Sequence, residues 1–298
     1  MKKLVECVPN FSEGRNESIV EKIIDEARNV EGIKILDYSS DKDHNRTVLT
    51  MIGSPEQVKE AAIKTAKKAA ELIDMSLHEG AHPRMGATDV IPFTPVSNIT
   101  IEECVEIAKE VGEEIGSWGI PVYLYEDAAT SPDRRNLADI RKGQYEAFFE
   151  KIKDPKWKPD YGPQEMNVKS GGTVVGARVP LIAFNVNLDT PDVEIANKIA
   201  RKVRHIGGGL RYVKGIGLKL EDRNQTQVSM NLVNFEKTSV YQAFEMVKME
   251  AKRYGVNVVG SEVIGTVPMK SLLDVAEYYL QIENFSMDQI LEKRLLDE

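Results

Sequence analysis

Four histidines occur in the 298 residues, and two of them, His78 and His82, stand four apart with Glu79 beside the first. Read as letters, HEGAH is H-E-x-x-H, a pattern in which two imidazoles on one helical face hold zinc and the glutamate serves as base. That geometry needs a continuous helix. Gly80 lies inside the span and Pro83 follows His82 directly. A residue before proline is pushed out of helical geometry, so a helix carrying HEGAH would end on its own second ligand. Only His44 and His205 remain elsewhere, neither at the extended zinc-protease spacing, although a distant glutamate as third ligand stays open. The expectation is no metal.

The wider segment HEGAHPRMGATDV sets His78, Glu79, His82, Arg84 and Asp89 on a loop between a helix and a strand, punctuated by Gly and Pro. Loops held by a rigid scaffold are where catalytic groups concentrate, and histidine moves protons near neutral pH. For His78, at the tail of a helix, a hydrogen-bonded structural role is expected. For His82 the local sequence leaves proton transfer and a structural role equally open.

Other polar residues interrupt strands. VPNFSEGRN offers Asn10, Ser12 and Glu13 just before a helix. Ser12 or Asn16 could cap that helix, or the helix N-terminus could receive an anion or amide. DHNRT sets Asn45 and Arg46 at a hairpin mouth, and GARVP sets Arg178 before the second half. Turn chemistry and solvated arginines are the plain reading. Arg46, Arg84 and Arg178 nevertheless all sit at loop edges and could fork onto carboxylates, which hints at a polycarboxylate ligand. No P-loop signature occurs, and GGTVVGAR lacks the strand-loop-helix context of a phosphate loop.

The elements that must position these groups repeat in order. LVECVPNF reads as a strand and ESIVEKIIDEARNV as a helix. IKILDYSS and RTVLTMIG read as two strands around a polar turn. SPEQVKEAAIKTAKKAAELI is a helix with Ser54 as N-cap and Pro55 at its first position, and DVIPFTPV returns as a strand. The same β-α-β-β-α-β order recurs in LIAFNVNL, DVEIANKIARKVR, GIGLKLED, TQVSMNLVNF, SVYQAFEMVKMEAKRYG and VNVVGSEVIG. This predicts an α+β protein of two ferredoxin-like subdomains. An extra helix (TIEECVEIAKEVGEEIG), a strand (PVYLYED) and a loop-rich connector over 151–178, dense in Pro and Gly, lie between the copies. The boundary is expected at 178, giving domains 1–178 and 179–298, with small ligands bound where two such halves meet.

Composition narrows the function classes. With 42% hydrophobic and 29% charged residues, the chain reads as an ordinary globular protein. A net charge of −8 argues against a nucleic-acid binder, and the one basic run, RKVRHIGGGLRYVK, reads as cations at a helix C-terminus before a glycine stop. Glu6 and Pro9 break the apolar run after MKKLVECVPNF, so no secretory leader is expected, nor a membrane span, which leaves the cytoplasm as the expected location. Cys7 and Cys104 indicate no disulfide framework; Cys7 reads as a small buried hydrophobe.

Taken together, VECVPNFSEG, NRT, HPRMGATDVIPF, PVYLYEDAA and GARVPLIAFNVNL carry a resemblance over essentially the whole length. The chain resembles the glutamate formiminotransferase family, as the stand-alone form or the N-terminal half of formiminotransferase-cyclodeaminase, with no cyclodeaminase part expected. The resemblance implies transfer of the formimino group from N-formimino-L-glutamate to N5 of tetrahydrofolate, a step of histidine degradation. A related formyl transfer, from formylglutamate or 5-formyl-tetrahydrofolate, is the alternative. It also implies two sheets facing a shared folate cleft, tetrahydrofolate as a substrate rather than a resident cofactor, and a homodimer. The family's catalytic histidine falls on His82. Its folate-binding stretch falls on 162–171, where Gly162, Pro163 and Gly171 match and most residues between differ. Some members carry an aspartate two residues after the position of Asp37; here it is Ser39, so that carboxylate is not inherited. Asn10, Asn45, Arg46, Arg84 and Arg178 are the expected substrate-binding residues.

Overall fold

A computed structural model of the chain describes residues 2–220 and 223–296. Two compact units emerge, Met1–Arg178 and Val179–Glu298. No helix among the described residues is long and apolar enough to cross a membrane.

The first unit opens with β1 (Leu4–Cys7) and β2 (Asn10–Phe11). These form one expected strand, interrupted at Val8 and Pro9 because proline has no N–H for the ladder. Then follow α1 (Glu17–Arg28), the hairpin of β3 (Lys34–Asp41) and β4 (Arg46–Gly53), α2 (Pro55–Leu72), β5 (Thr88–Ser97) and α3 (Ile101–Ser117). β4 alternates strictly between buried and half-buried positions, as a strand with one face on the core must. Its Leu49 and Met51 are fully buried, each stabilising by about 1.5–3 kcal/mol. α2 buries Val58, Ala61, Ala62, Thr65, Ala66 and Ala69, one stripe at helical spacing. Ser54 and Gln57 close its start as a reciprocal capping box.

The expected loop-rich connector needs correction. Its end, Thr173–Ala177, is a strand, β7, and it lies inside the sheet between β5 and β6 (Val122–Glu126), parallel to both. All five residues of β7 are buried. A parallel strand covered on both faces shows no alternation, which is why TVVGA carries no period to read. Two short helices also occupy the stretch before the connector, α4 (Leu137–Arg141) and α5 (Gln144–Lys151). β4 and β5 flank the β1–β2 strand, β3 pairs with β4 at one edge, and β7 and β6 extend the other side.

The second unit runs β8 (Ile182–Leu188), α6 (Val193–Val203), β9 (Val213–Leu220), β10 (Gln225–Leu232), α7 (Val240–Arg253) and β11 (Val258–Ile264), followed by α8 (Met269–Leu280) and α9 (Leu291–Leu296). Glu221 and Asp222, the end of the expected strand GIGLKLED, lie outside the described residues. Its strands form an antiparallel sheet ordered β11-β8-β10-β9. The protein is therefore α+β, with one mixed and one antiparallel sheet.

Candidate functional site

α2 ends at Leu72, and residues 78–82 are not helical, so the two histidines of HEGAH do not share a helical face. Among the described residues no group of three or more His, Cys, Asp or Glu side chains is placed to hold a metal. The loop is instead pinned by hydrogen bonds. Arg84 Nε donates to His78 Nδ1 at 3.1 Å; a guanidinium only donates, so Nδ1 is the unprotonated nitrogen. The proton sits on Nε2, which donates to the Asn45 carbonyl at 3.0 Å. Burial holds the His78 pKa below the ordinary histidine value.

Asn45, in the left-handed region at φ 48°, ties three segments together at the β3–β4 turn. Its Oδ1 accepts from Gly14 N at 2.9 Å, and its Nδ2 donates to Glu79 O at 2.9 Å. Nearby, Ala81 N donates to Asp43 O at 3.1 Å. Arg84 is buried and gives two bonds to the Glu146 carboxylate (2.9 and 2.6 Å), one to Gln144 Oε1 at 3.0 Å and one to the His78 carbonyl at 3.2 Å. Ser12 Oγ donates to Gly86 O at 2.8 Å, while Asn16 rather than Ser12 caps α1.

At the centre lies a charged cluster. Asp89, 1% exposed at the head of β5, accepts at Oδ2 from Arg46 Nη1 (2.9 Å) and at Oδ1 from Met85 N (2.9 Å). Arg141, at the end of α4, closes on both oxygens of the same carboxylate, through Nε at 3.2 Å and through Nη2. Arg46 Nε and Nη2 donate to Asn10 Oδ1 at 3.1 and 2.6 Å. Asn10 in turn donates to the Val8 carbonyl, which fixes its amide. Burial lowers the Arg46 pKa, and the Asp89 charge opposes that shift.

Half-buried His82 stands against this cluster. Its Nδ1 lies 2.8 Å from Arg46 Nη1 and 2.7 Å from the Pro83 carbonyl oxygen. The His44 ring meets it edge-on at 5.9 Å. Burial and then the Arg46 charge push the His82 pKa down to about 4, outweighing the Pro83 carbonyl and Asp89, so the imidazole is neutral at pH 7. A neutral, partly exposed imidazole beside fixed cations can accept a proton and give it back.

Of the expected site residues, Asn10, Arg46 and His82 come together, while Asn45 and Arg84 shape the loop that carries His82. Arg178 N donates to Phe93 O at 3.0 Å, and its buried Nε has no hydrogen-bond partner among the described residues. Gly162 (φ +79°) and Gly171 (φ +69°) occupy left-handed backbone, where a Cβ would fall 2.4 Å from Ile120 O and 2.2 Å from Met85 O respectively. Gly171 is buried against the His82 loop: Gly172 N donates to Met85 O at 3.1 Å, and Ala87 N to Ser170 O at 2.8 Å. Pro163 is exposed.

Sequence reasoning missed two residues as site members. Asp89 carried a signal, a charge at the start of the buried run VIPF, because an unpaired carboxylate is almost never fully buried. Arg141 carried none beyond a cation at the end of a short helix. A second polar group also went unread. On β8, β10 and β11, Gln227 Nε2 donates to Asn187 Oδ1 (2.9 Å) and Glu262 Oε1 (2.7 Å), and Asn185 Nδ2 to Glu262 Oε1 at 3.2 Å.

Comparison with known proteins matches residues 4–178 to the family described as "Formiminotransferase domain, N-terminal subdomain" and residues 183–296 to "Formiminotransferase domain". The chain is 56% identical to a glutamate formimidoyltransferase of Streptococcus pyogenes serotype M1, over 99% of this chain and 100% of that one. A Thermoplasma acidophilum glutamate formimidoyltransferase is 50% identical over 98% and 97% of the two chains. A Dictyostelium discoideum formimidoyltransferase-cyclodeaminase is 46% identical over all of this chain, which spans 57% of its length.

Proposed function

The chain belongs to the formiminotransferase family, and from that premise we propose that it is a glutamate formimidoyltransferase, moving the formimino group of N-formimino-L-glutamate to N5 of tetrahydrofolate. The order β11-β8-β10-β9 supports reading the second unit as ferredoxin-like, and β3-β4-(β1,β2)-β5 supports the same for the first.

His82 carries the mechanistic reading. N5 attacks the formimino carbon, the N5–C bond forms, and N5 becomes cationic in a tetrahedral intermediate. Neutral His82 accepts the N5 proton. The bond from carbon to the glutamate nitrogen then breaks, and the imidazolium returns the proton to that departing nitrogen. Such acid–base help is worth about 10²–10⁴-fold, and holding two substrates together supplies much of the remaining barrier. The depressed pKa supports this role, because it keeps the base unprotonated at neutral pH.

Both substrates are anionic and the chain is negative overall, so local cations have to receive them. In this reading Arg46 and Arg178 receive carboxylates, while Asn10 orients Arg46. Asn45 and Arg84 hold the loop, and the stretch around Gly162, Pro163 and Gly171 lies along the folate. The test mixes the protein with tetrahydrofolate and formiminoglutamate and follows formation of 5-formimino-tetrahydrofolate by absorbance. Wild type turns over and His82→Ala slows by at least about 10²-fold. No product with wild type overturns the assignment, and equal rates remove His82 from the mechanism.

A further inference from the structure

His82 Nδ1 faces two groups it cannot serve at once. Arg46 Nη1, 2.8 Å away, can only donate, which requires a lone pair on Nδ1 and places the proton on Nε2. The Pro83 carbonyl, 2.7 Å away, can only accept, which requires the proton on Nδ1 and frees the Nε2 lone pair. The first tautomer cannot take a proton at Nε2; the second can. Whichever neighbour holds Nδ1 therefore decides whether Nε2 is an acid or a base.

The cluster behind Arg46 is built for Arg46 to change partners. Arg46 and Arg141 have Asp89 as their only ion-pair partner among the described residues, so two guanidiniums share one carboxylate and a positive charge is left over. A second anion completes that balance. Asp89 would not be stranded if Arg46 turned away, because Arg141 already closes on both its oxygens. Arg46 would give up only one charged contact, since its three other contacts go to the neutral amide of Asn10 and to neutral His82.

We propose that a substrate carboxylate docks on Arg46 and draws its Nη1 from His82, so that Nδ1–H turns to the Pro83 carbonyl and Nε2 becomes the base. Arg46 is then a positioning residue that keeps His82 inactive until the amino-acid donor is bound. This rests on His82 being the proton carrier of the proposed transfer. The groups around the imidazole are Arg46 on β4, Asp89 on β5, Arg141 on α4 and His44 in the β3–β4 turn. Removing the nearest positive charge from the ring raises its proton affinity, in keeping with the part Arg46 plays in its low pKa.

The test uses ¹⁵N-histidine-labelled full-length protein and L-glutamate alone, so no turnover is needed to read it. In the free protein His82 should show the Nε2–H tautomer, and saturating glutamate should convert it to Nδ1–H. Arg46→Met should show Nδ1–H with and without glutamate. In Arg141→Met, Asp89 holds Arg46 alone, and the glutamate needed for conversion should rise at least tenfold. In rate profiles, which require transfer activity, the acid limb of kcat should lie at higher pH than that of kcat/KM for wild type. The two limbs should coincide in Arg46→Met. One unchanging His82 tautomer across free protein, glutamate complex and Arg46→Met overturns the switch even if transfer proceeds. A glutamate-driven tautomer change in a protein that transfers no formimino group would keep the switch and remove the proposed activity.

Discussion

Arg46 and Asp89 are 43 positions apart in the chain and 2.9 Å apart in the fold, joined across β4 and β5 by a bond from Nη1 to Oδ2. That pair, with Arg141 on the other side of the carboxylate, forms the wall against which His82 stands. Asp89→Asn removes the carboxylate that Arg46 and Arg141 share and leaves two largely buried guanidiniums facing an amide. Breaking a buried pair this way costs about 3–5 kcal/mol. A urea midpoint should fall accordingly with an unchanged slope; a loss below about 1 kcal/mol would mean that water, not Asp89, balances the arginines.

The pH dependence follows from His82. Its folded pKa, about 4, lies below the ordinary 6.5, so between these values the unfolded chain binds a proton that the folded one does not. The contribution is complete above about pH 6.5, declines as pH falls, and is gone below about pH 4. Denaturation at stepped pH should show that His82→Gln lacks this part of the slope. For activity, the acid limb of kcat/KM should lie nearer pH 4 than pH 6.5.

Asn45 separates backbone from side-chain effects. Asn45→Ala loses two hydrogen bonds, about 1 kcal/mol each, and keeps a Cβ in left-handed backbone without the polar side chain that makes asparagine tolerant of it. Asn45→Gly loses the bonds but relieves the backbone. Thermal melts should rank the wild type above Gly and Gly above Ala; the reverse order of the two variants would deny any role to the φ of 48°.

The folate stretch divides the same way. Gly171→Ala forces a Cβ to within 2.2 Å of the Met85 carbonyl, and it should reduce soluble yield before any ligand is added. Pro163 is exposed, so Pro163→Ala should leave stability within about 0.5 kcal/mol. A raised KM for tetrahydrofolate in that variant would then report contact with the ligand, and an unchanged KM would take Pro163 out of the site.

Arg178→Ala tests the carboxylate role most cleanly, because the buried Nε of Arg178 has no hydrogen-bond partner among the described residues for the change to break. Loss of one charge-assisted bond, about 1.5–3 kcal/mol, corresponds to roughly a 10–100-fold loss of substrate affinity. Steady-state kinetics should show KM rising with kcat kept. Unchanged KM values for both substrates would end that assignment.

Local chemistry made much of this protein legible from its residues. Ser54, Pro55 and Gln57 mark the start of α2, and alternation marks β4, because caps and periodicity act over a few neighbouring residues. Pro83 after His82 argued against a zinc helix without any fold, while the local residues left the role of His82 open and only the family resemblance through HPRMG pointed to it. Tertiary structure alone decided the rest. Thr173–Ala177 becomes a central strand because β5 and β6 accept it on both sides, a fact of its neighbours and not of its own pattern. Asp89 acquires Arg46 and Arg141 from 43 and 52 positions away, and His82 acquires Arg46 from 36 away. Charges so distant along the chain influence each other only once folding removes the water between them, so the electrostatics of His82 exist in the fold and nowhere in the string of residues.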